Sequence, residues 1–305
     1  MDRTMIPSRL LAAGTATLAL GGRPWLMGVI NATPDSFSDA GLTQTLGQRI
    51  ELAGSMLAAG ADMIDIGGES GVTNRPAIGA QEEIERVVPL IERVHRELGA
   101  LVSVDTYKPA VARAAIAAGA SIVNDVSGLR EPELAEVCAQ TGAGLVLMHT
   151  RAAPKQNLLD PALDGRIVSD VEVFLRERIE LALKCGVSFE QLLLDPGADF
   201  AKTPAQTVQV LRALGDLHAL GRPLLLAVSR KDFIGALTGR PPSERLAGTL
   251  AALAHGVDAG AHVLRVHDVA QAADFLGVRA ALRAEAEVDS ALRVPDELRW
   301  EQGAG

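Results

Sequence analysis

The chain has 305 residues, 48% of them hydrophobic but only 3% aromatic, so its core must be built from aliphatic side chains. A formal net charge of -9, with no basic cluster interleaved with aromatics, excludes an electropositive nucleic-acid surface. No apolar run reaches the roughly 18 residues of a membrane span, and Cys138 and Cys185 lack metal-ligand spacing and fit small core residues in a reducing compartment.

Residues 10–22 read LLAAGTATLALGG, which faintly resembles the apolar part of a secretory leader. However, Thr15 to Leu20 alternate, Gly21-Gly22 offer a turn, and an apolar strand follows. The expectation is an N-terminal β-hairpin in a cytoplasmic protein. Apolar strand-like runs then recur at Trp25–Asn31, Met63–Gly67, Leu101–Asp105, Ser121–Asn124, Gly144–His149, Leu192–Asp195, Pro223–Ser229 and His262–His267. Between them the period is helical. Leu46, Ile50, Ala53 and Leu57 share one face, and Ile84, Val87, Val88, Ile91, Val94 and Leu98 share another. Capping boxes are expected at Ser169 with Glu172 and at Thr203 with Gln206, where Pro204 follows. Gly60, Gly119, Gly142, Gly186, Gly221 and Gly260 mark helix ends. Eight β-then-α units predict an α/β fold, a (β/α)8 TIM barrel with an N-terminal hairpin, in one domain over residues 1–305. A doubly wound open sheet would also alternate. It would usually carry a Gly-rich fingerprint after its first strand, which this chain lacks. Residues 285–305 are charged and read as a frayed helix extension and then a disordered tail.

Every predicted strand ends in a polar group: Asn31; Asp65 and Glu69; Asp105; Asn124 and Asp125; His149; Asp195; Ser229 and Lys231; Arg265 and His267. In a barrel these ends converge on one face. Any single one could be a helix cap; all eight together point to a site. Asp105, Asn124 and Asp195 offer acceptors and an amide to a planar heterocycle such as a pterin or guanine, and Lys231 can donate to a ring carbonyl. Arg265 and His267 share one side of the last strand, where such barrels hold phosphate. Asn31 and Asp35 in the polar loop after the first barrel strand, with Arg75 after the second, suit a cation and the phosphates it carries.

In chain order the motifs MGVINATPDSFSDAG, DIGGES, VSVDTYKP, IVNDVSGL, LMH, LLDPG, SRKDFIG and VLRVHD resemble those of dihydropteroate synthase over nearly the whole chain. The resemblance implies condensation of hydroxymethyl-dihydropterin pyrophosphate with a small amine, 4-aminobenzoate, using Mg2+ in a homodimer. It implies that Asn31 ligates the metal and that Asp35 orders the first loop. Asp105, Asn124, Asp195 and Lys231 would hold the pterin, with Met148 lining its pocket. Arg75, Arg265 and His267 would bind pyrophosphate, and Phe37, Pro76 and Phe200 would flank the aminobenzoate. No nucleic-acid or membrane partner is implied.

Three departures fall on the second-substrate side. The second loop, Glu69 to Pro76, is longer than the family's E-S-T-R-P-G. The family's D-P-G-I-G-F-G-K-T is here Asp195 to Thr203 with Asp199 in place of glycine, and Asp232 follows the S-R-K motif. Two added carboxylates would repel an anionic amine and weaken use of 4-aminobenzoate, unless Asp232 caps its helix and Asp199 faces solvent. A paralogue with another amine, a non-catalytic pterin binder and a corrinoid-dependent methyltransferase are the alternatives. The last would not need the TPDSF loop or the R-V-H strand end.

Overall fold

The computed structural model describes residues 6–33, 45–69, 76–156 and 158–299. Strands β1 (Ile6–Ala13) and β2 (Ala16–Gly22) form an antiparallel hairpin. Its turn lies at Gly14-Thr15 rather than at Gly21-Gly22. Gly14 takes a φ of 64°, and its N–H donates to the Gly142 carbonyl at 2.8 Å.

Eight parallel strands follow, joined by helices. They are β3 (Trp25–Asn31), β4 (Met63–Gly67), β5 (Leu101–Asp105), β6 (Ile122–Asp125), β7 (Gly144–Met148), β8 (Leu192–Asp195), β9 (Leu225–Leu226) and β10 (Val263–Val266). The helices are α1 (Leu46–Ala58), α2 (Ala80–Leu98), α3 (Pro109–Ala117), α4 (Pro132–Thr141), α5 (Ile167–Lys184), α6 (Pro204–Arg212), α7 (Asp232–Thr238), α8 (Leu246–Asp258) and α9 (Val269–Leu282). The sheet runs β8-β7-β6-β5-β4-β3-β10-β9. A bridge from Leu194 to Leu224, with the Leu194 N–H on the Pro223 carbonyl at 3.0 Å, brings its two edges together as a barrel. Thus the predicted strand Pro223–Ser229 is regular over only two residues, yet it still completes the ring.

Local chemistry explains most helix ends. The expected box at α6 forms, with Thr203 and Gln206 capping each other. The one expected at Ser169 does not. Helix α5 starts two residues earlier, at Ile167, so Ser169 lies within its first turn and its hydroxyl donates to the Arg166 carbonyl at 2.9 Å. All six glycines read as helix ends have positive φ. Helix α9 stops at Leu282. The described residues beyond it run as turns with a short 3-10 segment at Asp296–Leu298, not as an extension of the helix.

The core has two parts. One lies between the strands and the surrounding helices. The other fills the barrel's lower half. There Met27, Met63, Ile122, Val146, Leu193, Leu225 and Val263 meet Leu11, Ala13, Leu18 and Leu20 of the hairpin. The hairpin is therefore a plug for the bottom of the barrel. The parity of this floor decides what stands above it. Side chains alternate along a strand, so two residues on from Met63, Ile122, Val146, Leu193 and Val263 come Asp65, Asn124, Met148, Asp195 and Arg265, facing inward.

If the hairpin is part of the cooperative core, Leu11→Ala, at a side chain with 0% exposure, should cost about 2–5 kcal/mol in urea unfolding. A loss near zero would show that the plug folds apart from the barrel.

Candidate active site

Above the apolar floor, four strands contribute to one partly buried network. Arg265 Nε donates to Asp65 Oδ2 at 2.6 Å and its Nη2 donates to Asp105 Oδ2 at 2.8 Å. The Asn124 amide donates to the same Asp65 oxygen at 3.1 Å. Asp65 is fully buried, and its other oxygen has no hydrogen-bond partner among the described residues. Arg265 is therefore tied to two of the strand ends expected to meet a ring, to Asp105 directly and to Asn124 through Asp65. The strand-end pattern marks Asp65 as polar and gives it no role of its own. Its signal was present: a single acid inside the apolar run MIDIG, on the parity that faces inward.

Asp195, Met148 and Lys231 come from the opposite side. Asp195 and Met148 are buried and paired in register across β7 and β8. Asp195 Oδ1 accepts from the Gly197 N–H at 2.7 Å. Gly197 has a φ of 68°, and a Cβ there would lie 1.9 Å from the His149 carbonyl oxygen, so only glycine fits. Beneath this turn lies Lys202, buried. Its ammonium donates to His149 Nδ1 at 2.7 Å and to the Gly197 and Phe200 carbonyls at 2.8 and 3.2 Å. Lys231 stands with its Nζ 4.2 Å from the centre of the Phe200 ring.

Two of the polar strand ends turn away. His149 follows inward Met148 and so faces outward, where its Nε2–H meets Asp170 at 3.0 Å. Burial lowers its pKa to about 4, which leaves Nδ1 free to accept from Lys202. Asp125 likewise follows Asn124, and its carboxylate accepts from the Ser127 and Leu129 N–H groups at 2.8 and 2.6 Å. Glu69 is held by Tyr107 and Lys108, and Lys108 also pairs with Glu83. His267 Nδ1 lies 3.0 Å from the Ser229 hydroxyl, and burial, then Arg265 and Arg230, lowers its pKa to about 4. Asn31 ends β3 exposed to solvent, and Pro76 is exposed. Asp35, Phe37 and Arg75 lie outside the described residues.

The two added carboxylates, Asp199 and Asp232, have partners within the protein. Asp199 accepts from the Thr207 hydroxyl at 3.0 Å and from the Phe233 N–H at 3.1 Å. Asp232 opens α7 with 88% of its side chain exposed and pairs with Arg245 at 2.7 Å. Both carboxylates are thus engaged by the protein's own donors. Neither stands as an uncompensated charge, and Asp199 does not simply face solvent.

The pocket holds more acid than its surroundings readily ionise. Burial raises Asp105 to about 7; Arg265 opposes this, while Asp65, Glu83 and Asp125 add to it. Burial also raises Asp195 and lowers Lys231, each against the pull of nearby opposite charges. Such acceptors, closely set in a place where water is scarce, suit a flat ring bearing several N–H donors.

Residues 27–267 match the family model described as pterin binding enzyme. The dihydropteroate synthase of Synechocystis sp. is 42% identical over 276 residues, which is 89% of this chain and 94% of that protein. The dihydropteroate synthase of Escherichia coli is 38% identical over 293 residues, 96% of this chain and 100% of that one. The solved structure of Xanthomonas albilineans dihydropteroate synthase with 4-aminobenzoic acid aligns with a TM-score of 0.83 at 42% identity, covering 91% of this chain and 99% of that chain. The same enzyme with 7,8-dihydropteroate aligns at 0.80 and 42% identity, covering 90% and 99%.

The raised Asp105 has a measurable consequence. Its folded pKa is about 7 against about 3.9 for a free aspartate, so the folded state keeps a proton that the unfolded state releases. Its contribution to stability is therefore full below about pH 4 and is lost as pH rises through about 7. Asp105→Asn has no such proton, so the fall in Tm between pH 5 and pH 8 should be smaller than in the parent protein. An equal fall in both would assign the loss to other groups.

Proposed function

The chain belongs to the dihydropteroate synthase family, and from that premise we infer that it condenses 6-hydroxymethyl-7,8-dihydropterin pyrophosphate with 4-aminobenzoate. The products are 7,8-dihydropteroate and pyrophosphate. The observation that carries this reading is the hydrogen-bonded set of Asp65, Asp105, Asn124 and Arg265, with Asp65 and Asn124 buried, and buried Asp195 across the barrel. A paralogue that rejects aminobenzoate is not favoured, because the two carboxylates on which it rested are taken up within the protein.

We assign Asp105, Asn124 and Asp195 to the pterin's N–H donors and ring nitrogens, Lys231 to its carbonyl, and Met148 to its face. Arg265 and His267, with Arg75, are assigned to the pyrophosphate. Asp35 is assigned to ordering the opening loop. Phe37, Pro76 and Phe200 are assigned to the aminobenzoate side, in the region of Asp199 and Asp232. The bond between the pterin methylene carbon and the pyrophosphate oxygen breaks first, and its electron pair leaves with pyrophosphate. Arg265 is suited to stabilise that departing charge, because Asp65 and Asp105 raise its pKa despite burial and keep it cationic. The same carboxylates steady the positive charge left on the pterin. The amine nitrogen then forms the C–N bond and gives up a proton. No covalent intermediate with the protein is involved.

Mg2+ is proposed with the family. It binds through few protein ligands and keeps several waters, with substrate phosphates completing its shell. The residues present fit that mode. Asn31 offers one neutral oxygen at an exposed strand end, and no group of three acidic, His or Cys side chains gathers as a cage among the described residues. Asn31 would hold the ion, which when bound offsets part of the pyrophosphate charge. A homodimer is also proposed. Leu237, Val278 and Leu282, which are 69%, 63% and 83% exposed on α7 and α9, supply apolar surface for a second copy. Among the described residues no helix is long and apolar enough to cross a membrane.

The direct test is release of pyrophosphate by purified protein given the pterin substrate, with and without 4-aminobenzoate. No release in either would sink the reading. Asp195→Ala leaves a ring donor unpaired, at about 1–3 kcal/mol, so calorimetry should show pterin binding weakened tenfold or more. Unchanged affinity in the folded variant would remove Asp195 from the site. Pyrophosphate should also bind more tightly with Mg2+ than without it, and equal affinities would count against the metal role of Asn31.

A further inference from the structure

The turn after β8 carries Asp199, where the family pattern has glycine, and Ala201. Both adopt positive φ, 62° and 50°. That conformation suits glycine, is tolerated by aspartate and is strained for alanine. A turn built this way persists only where its surroundings hold it. Here the holding group is the substituted residue itself.

Asp199 reaches two elements at once. Its backbone N–H donates to the Thr207 hydroxyl at 3.1 Å, and that hydroxyl donates back to Asp199 Oδ1 at 3.0 Å. Thr207 is fully buried in α6. The second carboxylate oxygen, Oδ2, accepts from the N–H of Phe233 at 3.1 Å. Phe233 is the second residue of α7, and Lys231, the residue before that helix, makes no side-chain cap. Asp199 thus supplies from another loop the capping oxygen that α7 does not supply for itself. The residue beside it, Phe200, lies with its ring 4.2 Å from Lys231 Nζ. Two consecutive residues of one loop therefore contact the segment that carries Lys231, one at the Phe233 N–H and one at the Lys231 ammonium.

We propose that Asp199 is a positioning residue for Lys231, joining the loop after β8 to the first turn of α7 so that the ammonium stands over the pterin site. It acts through Lys231 and does not itself need to touch substrate. The proposal rests on the synthase reading for the role of Lys231.

Charge supports the same assignment. Burial lowers the Lys231 pKa, and the opposing charges are Asp199 first, then Asp195 and Asp105, while Arg265 lowers it further. Lys202 and His267 also feel its charge. Glycine at position 199 would leave Lys231 without its largest opposing charge. In this chain the carboxylate keeps Lys231 protonated to higher pH than it would otherwise reach.

The test compares Asp199→Asn, which keeps the turn and one acceptor but not the charge, with Asp199→Gly, which removes both the strain and the bridge. Turnover is followed against pH, with calorimetric binding of the pterin pyrophosphate alongside. In Asp199→Asn the alkaline limb for the pterin substrate should move down by about one pH unit. It should not move when Lys231→Arg is already present. In Asp199→Gly the pterin KM should rise roughly tenfold with little change in the aminobenzoate KM. An unmoved alkaline limb, or an aminobenzoate KM that falls instead, would overturn the proposal; the latter would mean that the carboxylate faces the second substrate. Should the parent protein show no turnover, the synthase reading fails. The shift is then read from pterin binding alone, where its absence still overturns the role of Asp199.

Discussion

Arg265 bridging Asp65 and Asp105 inside the barrel is the contact on which the rest of the site depends. Two carboxylates this close, one of them fully buried, are costly unless a cation sits between them. The guanidinium meets that need with two donors in fixed geometry, which a lysine could not reproduce. The Asn124 amide, on the same Asp65 oxygen, brings in a fourth strand. Even so the compensation is incomplete: Asp105 stays raised and one Asp65 oxygen stays without a partner among the described residues. A pocket in this condition is ready to accept hydrogen bonds from a ligand.

That network can exist because the floor beneath it is dry. The hairpin fills the lower barrel with aliphatic side chains, and the parity of eight strands then places the next inward residues at one level. The outward residues at the same strand ends serve other purposes. Asp125 holds its own turn, and His149 ties β7 to α5 and to Lys202. Function and scaffold thus alternate along a single strand.

The rim opposite Arg265 is organised differently, by loops that lack regular structure and borrow rigidity. Gly197 permits a close approach to β7 that no side chain allows, and Lys202 gathers the carbonyls that this turn leaves pointing inward. Asp199 extends the same bracing to α7. Positive φ at two non-glycine residues is sustained by these bonds, which is where strain belongs in a site that must hold a ligand in one pose.

The sequence by itself determined the barrel, because hydrophobic period and the glycines at helix ends depend only on neighbours along the chain. It also determined which strand ends are polar, and the order of motifs that placed the chain in its family. It misread the start of α5, since helix boundaries respond to packing as well as to a capping pattern. Only the tertiary structure decided which polar residues share a pocket. Asp65 and Arg265 are 200 residues apart, and the pairing of both β4 and β10 with β3 brings them within 2.6 Å. It likewise decided which of the protein's own donors engage Asp199 and Asp232. A carboxylate's effect is set by the donors in reach of its oxygens, and those donors come from elements that sequence spacing does not relate.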